Sequence, residues 1–347
     1  MTSYKRITLR IAAAVLLLTA LSTPCRGETV VDSLTYAVYP YLPDAGYYQE
    51  LIEQRWAEIE PDIRLIRAEW DCYEDGVPEG IDVIMYDAEG RDRLIGAGWL
   101  QPIDPSRIQE IDDIYPFALE GLTVDGKLYG IPVFLCGNFL IYDISCGILA
   151  GAEHLTDLAG ESELLAISSD DKLNRKQFIF EILADIWGEP HPPVDGGAEE
   201  MLALIDELAI DEYQQGNSAQ LAAAYDAGVG SGYINFSESM RFLEERISQT
   251  DIKAISFSDR DNLPLLYVDA VSVTAGVEGP RYEKCVELMN VIAEADVLRS
   301  LSVQDGRPRY LLLARRSPYA ALAEEYPLYH RLEALASDDN NRVIVIP

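Results

Sequence analysis

The stretch YGIPVFLCGNFLIYD, Tyr129 to Asp143, carries one cysteine in an apolar run entered from a Gly-Lys-Leu-Tyr-Gly turn. A thiolate is a strong nucleophile, so Cys136 is a candidate catalyst if a base reaches it; sealed in a strand it is only a small hydrophobe. His154, His191 and His330 lie far apart in the chain and form no HxxxH pair. Any base for Cys136 is therefore a distant residue or a carboxylate, and no zinc site is expected. A second group of reactive side chains closes three successive strand-like segments: Tyr39 and Tyr41 follow the first, Asp71 and Tyr73 the second, and Asp87 ends the third.

What must position these residues is legible as alternating segments. SLTYAVY, Ser33 to Tyr39, alternates like a strand and is ended by Pro40 and Pro43. Leu51, Ile52, Trp56 and Ile59 then recur at helical spacing before Pro61. IRLIRAEW from Ile63 and IDVIMYD from Ile81 read as further strands, a βαβ succession that predicts a mainly parallel sheet. Ligands in such sheets sit beyond the carboxyl ends of the strands, where the Tyr and Asp group falls.

From Ser145 to Asp261 the pattern repeats as a second α/β unit, with helices around Arg175 to Trp187 and Ala198 to Leu208 and a strand GYINF from Gly232. PHPPVDGG, Pro190 to Gly197, reads as a surface loop. LPLLYVDAVSV, Leu263 to Val273, is strongly strand-like, and a helix follows from Tyr282 to Glu294. The fold class is α/β and bilobal, two α/β lobes with a central cleft and two hinge crossovers near 140 and 262. Lobe 1 would comprise 28–140 plus 262–315, and lobe 2 141–261 plus 316–347.

The first 27 residues are of another kind. Lys5, Arg6 and Arg10 precede an uncharged run from Ile11 to Leu21, followed by Ser22, Thr23 and Pro24. This is the pattern of a signal peptide, and the apolar run is too short for a mature membrane span. Its removal leaves 23 basic against 59 acidic side chains, a balance of −36. So acidic a surface repels phosphate backbones and anionic membranes, which argues against nucleic-acid binding and stable membrane insertion. Cys72, Cys136, Cys146 and Cys285 show no CxxC spacing, and their disulfide state is open.

GWLQPID and GKLYGIP resemble the first lobe of periplasmic solute-binding proteins of the two-crossover kind. A narrower resemblance runs through YPYLPD, WDCY, DVIMYD, PFALEG, YGIPVFLCGNFLIY, FSESM, PLLYVDAVSV, RYLLLAR and NRV in order. Together these are similar to thiaminase I, thiamine pyridinylase, over nearly the whole mature chain and weakest between about 150 and 225. The resemblance implies a solute-binding fold turned into an enzyme, with Cys136 as nucleophile and Glu238, between Ser237 and Ser239, as its activating carboxylate. It implies further that Asp87 and Asp269, with Tyr39, Tyr73 and Tyr267, bind the substrate. Phe236 stands where the family has a tyrosine, and Tyr225 has no clear counterpart.

The implied reaction replaces the thiazole of thiamine with an amine, pyridine or thiol through a covalent Cys-pyrimidine adduct, with no metal and no organic cofactor. A secreted or periplasmic monomer would follow. The rival reading is a solute receptor for thiamine or a related cation, with Cys136 a bystander; a receptor needs no pairing of Cys136 with Glu238.

Overall fold

The computed structural model describes residues 31–73, 76–190 and 197–345. The signal-peptide segment and most of the PHPPVDGG loop lie outside the described residues.

In chain order the elements that build the scaffold begin with β1 (Ser33–Ala37), α1 (Ala45–Ile59), β2 (Arg64–Arg67) and β3 (Val83–Asp87). β4 (Ile131–Cys136), β5 (Phe139–Asp143), β6 (Leu165–Ala166), α2 (Lys172–Trp187), α3 (Glu199–Leu208) and β7 (Gly232–Asn235) follow. The remainder are β8 (Thr250–Lys253), β9 (Leu265–Val273), α4 (Gly279–Ile292), β10 (Leu312–Leu313), α5 (Leu328–Ala336) and β11 (Arg342–Val343). α1 forms because Tyr48, Ile52 and Trp56, each a turn apart, present one buried face, and the Trp56 indole N–H donates to the Ile63 carbonyl at 2.8 Å. Burying each such side chain stabilises the fold by about 1.5–3 kcal/mol.

The large sheet has the order β10-β4-β9-β3-β1-β2, with β11 also on β9. The small sheet has the order β8-β5-β7-β6. β1 pairs in parallel with both β2 and β3, as the βαβ succession predicts. The mainly parallel expectation fails beyond them: β9 runs antiparallel between β3 and β4, and β5 is antiparallel to both its neighbours. The physical cause is connection. β9 returns from the small sheet and enters the large one from the opposite end.

The chain leaves the large sheet at Gly137–Asn138 and returns between β8 and β9, so two crossovers join the sheets. Both are pinned by α2. Asn138 donates to the Glu181 carboxylate at 2.9 Å, and one turn on Asp185 accepts the Phe257 and Leu263 backbone N–H groups at 2.6 and 2.7 Å. Burial pushes Glu181 up to about 8 and Asp185 up to about 6. At the chain end, Arg331 of α5 pairs with Asp251 of β8 in the small sheet at 2.8 Å. Arg342 and Val343 of β11 pair in parallel with Leu265 and Leu266 of the large sheet.

Candidate functional site

β4 is buried from Ile131 to Leu135 and ends on a half-buried Cys136. Gly137 is required next: a Cβ there would stand 2.8 Å from Leu266 Cδ2 and 3.2 Å from the Leu265 carbonyl. The close approach brings β4 against β9, where Cys136 lies opposite Tyr267. Two residues along, Asp269 stands opposite Phe134 on one side and Asp87 of β3 on the other. With the pleat repeating every two residues, Cys136, Tyr267, Asp269 and Asp87 share one face of the sheet.

Glu238 arrives from the other sheet. The two-turn 3₁₀ segment Ser237–Phe242 follows β7, and both serines flanking the glutamate are buried. Ser237 donates to the Tyr310 carbonyl at 2.8 Å and Ser239 to the Phe236 carbonyl at 2.7 Å. Those bonds lock the turn and leave the half-buried Glu238 at the wall of a cavity of about 270 Å³. Cys136, Asp269 and Tyr39 line the same cavity.

Asp87 lies behind this wall. It accepts the Glu89 backbone N–H at 2.8 Å and the Tyr73 hydroxyl at 2.7 Å, and the Tyr73 and Tyr39 hydroxyls are 3.2 Å apart. Tyr39, Tyr41 and Tyr73 form an aromatic corner with ring centroids 5.5–6.3 Å apart, and Tyr41 donates to Asp71 at 2.7 Å. The strand-end group read from sequence is thus brought together. Tyr267 is placed otherwise. It is 2 % exposed, off the cavity wall, with its ring edge-on to Phe236 and packed with Leu265, Ala184 and Ile344, and its hydroxyl has no hydrogen-bond partner among the described residues.

The electrostatics follow from carboxylates crowded in a water-poor cleft. Burial, then Asp269, Glu238 and Asp87, hold the Cys136 thiol well above its ordinary value. Burial raises Glu238, while its own backbone N–H and Arg241 act against that. Asp269 is raised well above the carboxylate range by burial and by Asp87 and Glu238, and burial lifts Asp87 to about 6. A neutral thiol beside several carboxylates suits a cationic guest, whose charge favours both thiolate and carboxylate. Cys72, Cys146 and Cys285 are also free thiols, the first and last buried.

Sequence reasoning passed over Arg241, which lines the cavity three residues after Glu238. Its presence in FSESMRF, one 3₁₀ turn beyond the glutamate, was the available signal.

A two-sheet α/β body crossed twice by its chain, with a cysteine and a glutamate on the wall of one cleft, defines a variant of the solute-binding architecture. The maltodextrin-binding protein MalE1 of L. casei shares that fold, with a TM-score of 0.64 at 12% identity over 91% of this chain and 88% of its own. Clostridium botulinum thiaminase I in complex with thiamin superposes with a TM-score of 0.84 at 27% identity, over 90% of this chain and 94% of that one. Thiaminase-1 of Paenibacillus thiaminolyticus is 31% identical over 340 residues, covering 90% of this chain and 83% of that protein. No family model matches the chain. The chain belongs to the thiaminase I family, the thiamine-degrading transferases.

Proposed function

We propose that this protein replaces the thiazole of thiamine with an amine, pyridine or thiol, using Cys136 as nucleophile and Glu238 as base. The observation that carries the reading is that Cys136 and Glu238, from different sheets, line one cavity with Asp269 and Tyr39. Glu238, raised by burial, is a better match for a thiol proton than an ordinary carboxylate. It takes the Cys136 proton when the thiazolium cation has entered. The thiolate adds to the pyrimidine carbon beside the ring nitrogen, and the electron pair of the methylene–nitrogen bond leaves with the thiazole. Glu238 loses the thiol proton to solvent as the thiazole departs, and the incoming base then attacks the methylene and passes a proton to the Glu238 carboxylate where it has one to lose. Cleavage of the carbon–sulfur bond releases the product and the thiolate.

Asp269 is assigned to the aminopyrimidine, Asp87 to tuning the pocket through Asp269 and Tyr73, and Tyr39 and Tyr73 to the rings, where a cation over an aromatic face is stabilised by about 0.5–2 kcal/mol. Tyr267, opposite Cys136 on the neighbouring strand and edge-on to Phe236, supports the pocket without lining it. Among the described residues no helix is long and apolar enough to cross a membrane. Export under the N-terminal segment, and a monomeric state, complete the proposal.

Incubation with thiamine and pyridine, followed by absorbance of the exchanged product, tests it. Turnover by the wild type and its loss in Cys136→Ser is the expected result. Stoichiometric binding without turnover, or full turnover by Cys136→Ser, overturns it.

A further inference from the structure

Arg241 is the anomaly of an acidic protein. Arg55, Arg67, Arg246 and Arg281 each hold a carboxylate at 2.6–2.7 Å. Arg241 is half-buried, its Nη1 is shut off from solvent, and no acceptor among the described residues meets it. The charged groups around it are Glu238, Asp44 and Arg309; burial depresses its pKa against the pull of Glu238 and Asp44, neither of which bonds it, and its guanidinium lies 4.6 Å over the Phe242 ring. Asp44 is already engaged by Arg309 at 2.9 Å, and the Nε of Arg309 is itself buried without a partner among the described residues.

Position adds a second argument. Arg241 lines the cleft beside Glu238 and also a neighbouring pocket of about 380 Å³, whose wall includes Arg307, Tyr310 and one carboxylate, Glu244. A guanidinium that lines both spaces repels the thiazolium, and neutral guests leave its donors unsatisfied. An oxyanion satisfies them, since the planar fork pairs with phosphate or carboxylate through two parallel hydrogen bonds.

We propose that Arg241, with Arg307 across the adjoining pocket, binds an oxyanion carried by one of the two molecules that react in the cleft. The carrier is either a phosphate ester on the hydroxyethyl arm of thiamine or a carboxylate on the incoming base. The inference rests on the thiaminase reading for the identity of those molecules.

The test compares kcat/KM for thiamine and thiamine monophosphate with pyridine as acceptor, and for pyridine and nicotinate with thiamine as donor. Wild type, Arg241→Gln and Arg241→Lys are measured, each with circular dichroism to confirm folding. The ratio of anionic to neutral substrate is the readout, so any effect of Arg241 on Glu238 cancels. The expected result is a preference of about tenfold for the anionic form in one arm, lost in Arg241→Gln, partly kept in Arg241→Lys, and weakened by added salt. The arm that shows it names the carrier.

No preference in either arm, or the same preference in Arg241→Gln, overturns the proposal. If the wild type fails to turn over thiamine with pyridine, the thiaminase reading falls, and calorimetry of the same four compounds with Cys136→Ala and Cys136→Ala/Arg241→Gln decides the anion site by itself. Tighter binding of an anionic form that depends on Arg241 supports it; equal affinity for both members of each pair overturns it.

Discussion

Asp269 of β9 stands directly opposite Asp87 of β3 on an antiparallel pair, and both are buried at 5 % exposure. Like charges in that position repel, so the pair holds a proton that two exposed carboxylates would release. The raised pair also lifts the Cys136 thiol beside it.

Replacing Asp269 with Asn removes one titratable carboxyl from this cluster and with it the repulsion against Asp87 and Glu238. The sign is set by the raised carboxylates: the folded state keeps protons that the unfolded state loses near pH 4, so stability falls as pH rises, for Asp87 between about 4 and its folded value of about 6. Asp269→Asn is expected to be the more stable protein at pH 7–8, by about 1 kcal/mol or roughly 2–4 °C in Tm. The Cys136 thiol falls toward its ordinary value, so iodoacetamide alkylates it faster than in wild type at the same pH. Slower or unchanged alkylation in a folded variant counts against the cluster as the cause of the thiol's shift.

Glu238→Gln keeps the shape of the serine-locked turn and removes the base. Turnover of thiamine with pyridine should fall by about 10²–10⁴-fold. Measuring kcat and KM separately shows whether the loss lies in kcat, as a role in proton transfer requires; a change confined to KM would assign Glu238 to binding only.

Glu181 pins the first crossover through Asn138, and its carboxyl, raised to about 8, is neutral at pH 7. Its unfolded counterpart ionises near 4.5, so the wild type loses stability as pH rises from there through about 8 and levels off above it. Glu181→Gln imitates the protonated form and should flatten that decline. Thermal unfolding at pH 6 and pH 9 checks this, with parallel declines in both proteins as the contrary outcome.

Tyr267 buries a hydroxyl with no partner, at a desolvation cost of about 1–3 kcal/mol. Tyr267→Phe keeps the ring against Phe236 and discards the orphan. Its urea midpoint should match or exceed that of wild type. A loss above about 1 kcal/mol would mean that the hydroxyl is bonded in solution.

Local order was legible because it is written in neighbouring residues. The period-two alternation of Ser33 to Tyr39, the helical spacing of Ile52 and Trp56 and the prolines that stop these segments act over a few residues, and such runs located β1, β2, β3, β7 and β9, α1 to α4 and both crossovers. The short β6, β8, β10 and β11 and the helix α5 were not read, and Ile59 of the expected α1 face is exposed. The ordered motifs added the family, and with it the grouping of Cys136, Glu238, Asp269 and Tyr39 at one cavity. What the tertiary structure alone decided is how segments far apart in the chain meet. β9 enters antiparallel between β3 and β4, and that direction sets Asp269 against Asp87 and Tyr267 against Cys136. Packing with Ala184 and Ile344, from elements on either side in sequence, draws Tyr267 off the cavity wall. The same assembly leaves Arg241 Nη1 without an acceptor among the described residues, since the nearby Asp44 is taken by a residue 265 positions later in the chain, Arg309. Periodicity reports which face of an element is buried. It carries no information on what is buried against it, and charge compensation, hydroxyl satisfaction and cleft lining all depend on that partner.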